Sequence, residues 1–393
     1  MIARGRLDIR FSELFKAVGT VARTAAGLSK ASPCFPEQSL PCLSVRTGFD
    51  LLLTALKLER GTEILVTNIN IPDMFAIMAE HGLKVIPLAV DKHTLGISVD
   101  QLKYAITPKT KLLLITHLFG AVMSTEPLLQ VAKANRLIVI EDCAQAYDGV
   151  YQGNLQSDVA MFSFGLIKTN TALTGALLHF NNQTLFTEVS ALNRQLPVQP
   201  TKIYFKKILN ATLIKSFTQR LPFQWAYTLC KYLNKDFDAW LSGFTRGFPG
   251  AALMRKIRHQ PCNANLSMLH YKYSQDISSQ IQQRKALAAQ LLQGLNEHYL
   301  VGTANAQHTH WVLPINVPEP VSLVEKLRGA GFDATSKASS LVRFKSESPS
   351  LGIQNELALE NLIYLPMDIT MGKNKAKQLN QLLLAFLPNL QGF

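Results

Sequence analysis

The stretch "LIVIEDCAQAYDG", residues 137–149, begins as a strand and ends on two adjacent acids, Glu141 and Asp142. An apolar run this continuous reads as a strand buried on both faces, as in a parallel sheet covered by helices. A carboxylate at the end of such a strand is costly unless a cation or a set of donors meets it. The next apolar run with a cation behind it is "MFSFGLIKTN", residues 161–170, which carries Lys168.

Outward from this stretch, short apolar runs alternate with helix-length amphipathic ones. "EILVTN" (63–68), "KVIPLAV" (84–90), "KLLLIT" (111–116), "VAMFSF" (159–164) and "ALLHF" (176–180) read as further strands. "PDMFAIMAEHG" and "EPLLQVAKAN" read as helices, and Ser98 with Gln101 predicts a capping box at the start of "SVDQLKYAI". Strand–helix alternation of this kind predicts an α/β fold with a mostly parallel central sheet flanked by helices. Ligands in such sheets bind beyond the carboxyl ends of the strands. Glu141, Asp142 and Ser163 fall at such ends. Towards the C-terminus, "HWVLPINV" as strand and "SLVEKLRGAGF" and "NKAKQLNQLLLAFL" as helices predict a smaller α+β domain.

At 393 residues the chain is long for a single core. Its 47% hydrophobic and 17% charged content fits a globular protein and excludes a disordered one. The five cysteines show no CxxC pair, which argues against a disulfide framework or zinc site. The opening "MIARGRLDIRF" has no apolar run after its arginines, so no signal peptide is expected. No uncharged apolar stretch is long enough to predict a spanning helix.

The net charge of +13 is concentrated. Between residues 198 and 258 eleven Lys/Arg stand against two acids, Asp236 and Asp238, with eleven aromatics interleaved from Tyr204 to Phe248. Three readings fit this segment. It could be an amphipathic surface for anionic membrane, with Trp, Tyr and Phe at the interface. It could dock nucleotide- or lipid-linked substrates, or it could be an insertion packed on its own body or across a dimer, with solvated lysines. Nucleic acid is not expected, because the body around the segment has no basic excess.

A lysine and a buried carboxylate at neighbouring strand ends are the parts that pyridoxal phosphate needs. The lysine binds its aldehyde and shuttles a proton, while the carboxylate holds the proton on its ring nitrogen. The stretch from "ITPKTK" to "LIKTN" (106–170) resembles the DegT/DnrJ/StrS-type sugar aminotransferases, a family of fold-type I pyridoxal-phosphate enzymes. The resemblance runs from about 44 to 182 and returns in "ENLIYLPMDITMGKNKAKQLNQLL". It rests on three linked motifs: Ile140 to Gln145 (I-E-D-x-A-Q), Ser163 to Lys168 (S-F-x-x-x-K), and Gly175 seven residues beyond the lysine.

By position, the resemblance implies Lys168 as the catalytic lysine, Asp142 as the ring-nitrogen partner and Gln145 beside the ring's 3-hydroxyl. Ser163 would bind the phosphate. The family's first phosphate-binding turn falls on "SVRT" (44–47), so Arg46 or Thr47 is expected to contact the phosphate as well. Ile71 stands where relatives place a ring-stacking aromatic, and position 176 is Ala where they have a second glycine. His117 in "THLFG" also matches a family position, either lining the substrate pocket or closing a structural hydrogen bond. The residue that reaches the phosphate from a neighbouring subunit has Arg258, His259 and Asn263 as candidates.

Cys143 reads as a small core residue. His308 and His310 read as a strand with alternating faces, because no third metal ligand accompanies them. The expected organisation is a cofactor-binding domain over 1–197, a basic aromatic helical insertion over 198–260, and a connecting helix with a small domain over 261–393. The expected function is glutamate-dependent amination of a keto sugar, nucleotide- or lipid-linked, by a cytoplasmic homodimer with peripheral membrane contact through 200–256. The alternatives are other pyridoxal-phosphate chemistry on the same fold, or a membrane-associated scaffold without turnover. The loops 193–260 and 303–345 would recognise the acceptor, and no metal is expected.

Overall fold

The computed structural model describes residues 1–28, 33–245, 248, 252–337, 341–344 and 353–387. Arg246 of the basic stretch and part of the 303–345 loop lie outside the described residues. A seven-stranded sheet organises the large body. Its strands are β1 (Ser39–Cys42), β2 (Glu63–Thr67), β3 (Lys84–Leu88), β4 (Thr110–Thr116), β5 (Ile138–Asp142), β6 (Val159–Ser163) and β7 (Ala176–Phe180). Their order across the sheet is β1-β7-β6-β5-β4-β2-β3. The strands β3, β2, β4, β5 and β6 are mutually parallel, and β7 runs antiparallel to both β6 and β1.

Both faces of the sheet are covered, and the strands show it residue by residue. Leu112 and Leu114 join one apolar cluster with Phe49, Ile140 and Leu178, while Leu113 and Ile115 join another with Val139 and Leu129. This alternation is the period-two geometry of a strand between two helical layers. It also sends Glu141 and Asp142, consecutive on β5, to opposite sides.

Towards the C-terminus, Leu313–Asn316 pairs antiparallel with Leu362–Leu365. The helices Ser278–Leu292, Pro320–Gly329 and Lys373–Phe386 pack with this pair, and Ile2 from the N-terminus joins the same core. Two local expectations are corrected. Ser98 Oγ accepts from Gln101 N at 3.1 Å, but the Gln101 side chain turns to Ala89, so the capping box is only half formed. "HWVLPINV" is not continuous strand: His310 has a φ of +48°, and pairing resumes at Leu313. The same turn stacks the His308 and His310 rings 4.0 Å apart rather than alternating them.

The basic aromatic segment forms the helices Thr201–Phe217, Arg220–Tyr232 and Phe237–Thr245. The first buries Tyr204, Ile208, Ala211 and Ile214 with Leu14 and Ala17 of the helix Phe11–Ala25. The next two bury Phe223, Cys230 and Phe237 with Ala3. Both acids of the segment are ion-paired, Asp238 in partial burial and Asp236 at the surface. Asp238 meets Arg4 at 2.5 Å and Arg328 at 2.8 Å, and Asp236 meets Lys337 at 2.5 Å. The segment therefore packs on its own body on one side, leaving its outer side to Lys, Arg and exposed apolar groups.

Candidate active site

The two acids that open the sequence question have different surroundings. Glu141 is fully buried. Its Oε2 accepts from His117 Nε2 at 2.9 Å and Tyr151 Oη at 2.6 Å, and its Oε1 from Asn154 N at 2.8 Å and Ser157 Oγ at 2.6 Å. Burial alone would raise its pKa, but the donors, His117 first, hold it below the usual carboxylate value. His117 Nδ1 accepts from Met123 N at 3.2 Å, so both ring nitrogens are engaged and the ring is fully buried. His117 is thus tied to Glu141 and does not line the cavity described below. Cys143 lies close to this pair, but its thiol is pushed well up by burial. The group reads as a saturated hydrogen-bond cluster.

Asp142 has only neutral close partners. Its Oδ1 accepts from Ala144 N at 3.1 Å, and Asn70 supplies a second hydrogen bond. Among the described residues no cation forms an ion pair with it. Burial raises its pKa, and Lys168 opposes that from a distance. This buried carboxylate is poised to take a cationic N–H.

Lys168 follows β6 in a turn closed by its own N–H to Gly165 O at 3.0 Å. Burial lowers its pKa to about 8, with Asp142 raising it and Arg46 lowering it. The next residues are braced from outside the turn. Asp8 accepts from Asn170 N at 2.8 Å and from Arg284 at 3.0 Å, and Arg284 donates to Thr169 Oγ1 at 2.9 Å. The Lys168 ammonium sits 4.0 Å from the centre of the Trp311 ring.

A cavity of about 530 Å³ opens at this point, between the strand ends, the N-terminal segment 4–8, the insertion and the C-terminal part. Lys168, Gln145 and Ile71 line it; Asp142, Ser163, Arg46 and Thr47 do not. Gln145 Oε1 accepts from Phe119 N at 2.9 Å, which leaves its amide N–H donors for the cavity. Ser163 Oγ accepts from Gly165 N at 3.3 Å.

Behind Lys168 lies the N-terminus of the helix Val45–Leu56, capped by Ser44 Oγ on Thr47 N at 3.1 Å. Thr47 is buried and its hydroxyl donates to Ile257 O at 2.8 Å, so that donor is already used. Arg46 pairs with Asp73 through Nε and also faces the ring of Phe248, 5.5 Å from its centre. Lys207 of the insertion stands 5.5 Å from the same ring and has no carboxylate partner among the described residues. Burial and Arg46 lower its pKa. Of the proposed neighbour-reaching residues, Arg258 is paired with Asp50 at 2.9 Å. His259 keeps a buried Nδ1 without a hydrogen bond, and Asn263 is exposed.

The structural hydrogen bond that sequence reasoning offered for His117 is present, but it missed Trp311, Lys207, the donors Tyr151, Asn154 and Ser157 around Glu141 and the N-terminal wall Arg4–Asp8. Their only signals were residue types, since each arrives through tertiary docking from a distant part of the chain.

The fold is similar to that of solved sugar aminotransferases. Sugar aminotransferase CalS13 from Micromonospora echinospora superposes with a TM-score of 0.67 at 17% identity, covering 98% of this chain and 100% of that one. NtdA from Bacillus subtilis, solved with bound cofactor PMP, superposes with the same TM-score and identity, covering 96% of this chain and 82% of that one. Residues 39–214 match the DegT/DnrJ/EryC1/StrS aminotransferase family. GDP-perosamine synthase of Caulobacter vibrioides is 27% identical over 197 residues, 49% of this chain and 53% of that protein. GDP-perosamine synthase of Escherichia coli O157:H7 is 32% identical over 139 residues, 35% of this chain and 38% of that protein. The matches thus span about half or less of the curated relatives' length.

Proposed function

We propose that the protein is a pyridoxal-phosphate-dependent aminotransferase that moves an amino group from an amino acid, glutamate, to a keto sugar carried on a nucleotide. The observation that carries this reading is the pairing of a depressed amine, Lys168, with a buried carboxylate, Asp142, that lacks a cation. When bound, the cofactor supplies an electron sink for the carbanion formed at the substrate carbon. Asp142 would accept the ring N–H and keep that proton in place. Gln145 would donate its free amide hydrogens to the ring's 3-oxygen. Arg46, Ser163 and Lys207 would hold the phosphate, at the amide end of a helix that favours anions. Lys168 Nζ would take and return the proton at the substrate carbon, and a pKa near 8 suits that exchange at neutral pH. Ile71, Phe119 and Trp311 would exclude water from the cavity. Arg6 and Arg284, paired with Asp368 and Asp8, also line it and would face a carboxylate or phosphate on the substrate. Names of relatives support a sugar acceptor; a homodimer and a cytoplasmic setting are part of the same proposal.

The direct test is oxoglutarate release from glutamate with a panel of nucleotide-linked keto sugars, in wild type and Lys168→Ala. Release that depends on both the sugar and Lys168 supports the reading. Turnover of glutamate without amine transfer would instead indicate other chemistry on the same cofactor.

The outer face of the insertion favours peripheral contact with anionic membrane. Leu221, Trp225 and Tyr232 are each about three-quarters exposed or more, on the helix Arg220–Tyr232, which carries no acid. A second copy of this face would set cations against cations, whereas anionic headgroups complement it. No helix among the described residues is long and apolar enough to cross a membrane. Flotation with anionic and neutral vesicles tests this: wild type should float only with the anionic ones, and Leu221→Ser with Trp225→Ser should remain at the bottom. Equal behaviour of the two proteins on anionic vesicles would contradict the contact.

A further inference from the structure

We propose that Trp311 is the aromatic wall of the reaction site, lying against whatever carbon Lys168 bonds to and taking the place that Ile71 leaves without a π face. The inference rests on the pyridoxal-phosphate reading above. Its first support is distance. The Lys168 nitrogen is 4.0 Å from the centre of the indole ring. A carbon bonded to that nitrogen lies within about 1.5 Å of it, and therefore arrives beside the indole.

The second support is that the indole is held rather than merely near. Trp311 Nε1 donates to Ile167 O at 2.9 Å, tying the ring to the residue before Lys168. Its backbone is docked from the other side: Gln307 and His308 pair with Val122 and Ala121, and Thr309 N donates to Gly120 O at 2.8 Å. The positive φ of His310 then turns the chain so that Trp311 faces the cavity. Gly120 is needed for this approach, because a Cβ there would stand 2.7 Å from Trp311 N at a φ of +102°.

The third support is that the position expected to supply an aromatic is Ile71, which lines the same cavity and can pack but not stack. An indole offers both functions needed here. Its face stabilises the ammonium of the free protein, and it packs edge or face against a planar ring when one is bound. The other charges acting on Lys168 are Asp142 from β5 and Arg46 from the helix Val45–Leu56. Asp8 and Arg284 brace the two residues that follow it. Trp311 is also in contact with the amine, and it acts by its π face.

The test uses the full chain and pyridoxal phosphate itself, in wild type, Trp311→Phe and Trp311→Leu, with a thermal melt of each to confirm folding. Binding is read from cofactor absorbance, and covalent capture by borohydride is read as a function of pH. Phe keeps a π face and should bind within about threefold of wild type, whereas Leu, of similar bulk, should bind about tenfold more weakly. Loss of the π face removes a stabiliser of the ammonium, so the pH midpoint of capture should fall in Trp311→Leu and stay in Trp311→Phe. If wild type binds and is captured while Trp311→Leu matches it in affinity and midpoint, the role of Trp311 is wrong and the cofactor reading survives. If wild type itself neither binds nor is captured, the cofactor reading fails and this inference fails with it.

Discussion

Glu141→Gln separates the two acids of the opening stretch by their energetics. Wild-type Glu141 offers two acceptor oxygens to four donors, His117 Nε2, Tyr151 Oη, Asn154 N and Ser157 Oγ. Gln keeps the volume but has a single oxygen. If that oxygen stays with His117 and Tyr151, the new NH2 faces Asn154 N–H. Ser157 can adapt, since Asn154 O also lies 2.6 Å from its hydroxyl, which can turn its one proton there and accept from the amide. The backbone N–H of Asn154 cannot. One orphaned buried donor and two weakened charge-assisted bonds give a loss of about 2–4 kcal/mol. Urea unfolding with an unchanged slope would read this loss as a shift in midpoint. The pH dependence has a definite sign. The folded-state pKa of Glu141 lies below its ordinary 4.5, so its stabilisation is full above that value and fades as pH falls through the lower folded value. The gap between wild type and Glu141→Gln should therefore narrow in acid. A loss under about 1 kcal/mol at neutral pH, or a gap that widens in acid, would refute the reasoning.

Three further outcomes follow from the geometry. Lys168 should react with an acylating reagent with a pH midpoint of about 8, identified by peptide mass; a midpoint at the ordinary 10.5 would show that burial does not act on it. Gly120→Ala should destabilise the protein by about 2 kcal/mol or more and weaken cofactor capture, because the new Cβ would meet Thr309 Oγ1 and Trp311 N at a positive φ; a neutral melt would contradict that packing. Asp238→Asn should cost about 2–3 kcal/mol, since it faces both Arg4 and Arg328 in partial burial. Asp236→Asn, in an exposed pair with Lys337, should cost under about 0.5 kcal/mol. Equal losses at these two positions would mean that the insertion is not anchored through Asp238.

The alternation of apolar runs in 63–180 was sufficient to read the covered parallel sheet, because residues such as Leu112 to Ile115 carry no information beyond being buried on both faces. The strand-end position of Asp142 and the turn holding Lys168 were equally legible, since both follow from local spacing. Their neighbours were not. Nothing in "IED" distinguishes an acid saturated by four donors from one left with neutral partners; that depends on which side of the sheet Tyr151, Asn154 and Ser157 return to. His308 and His310 read as alternating strand residues, but a single left-handed residue stacks them and swings Trp311 over Lys168. The basic insertion was visible as composition, yet composition could not tell that Asp238 ties it to Arg4 and Arg328 beside the cavity.

The central claim is that Lys168 is the residue that binds pyridoxal phosphate, and one measurement addresses it most directly. The purified full-length protein is incubated with the cofactor, reduced with borohydride and digested, and the modified peptide is identified by mass. A single adduct on Lys168, lost when glutamate is added before the reductant, is the predicted result. Modification spread over surface lysines, or none at all, would contradict the account.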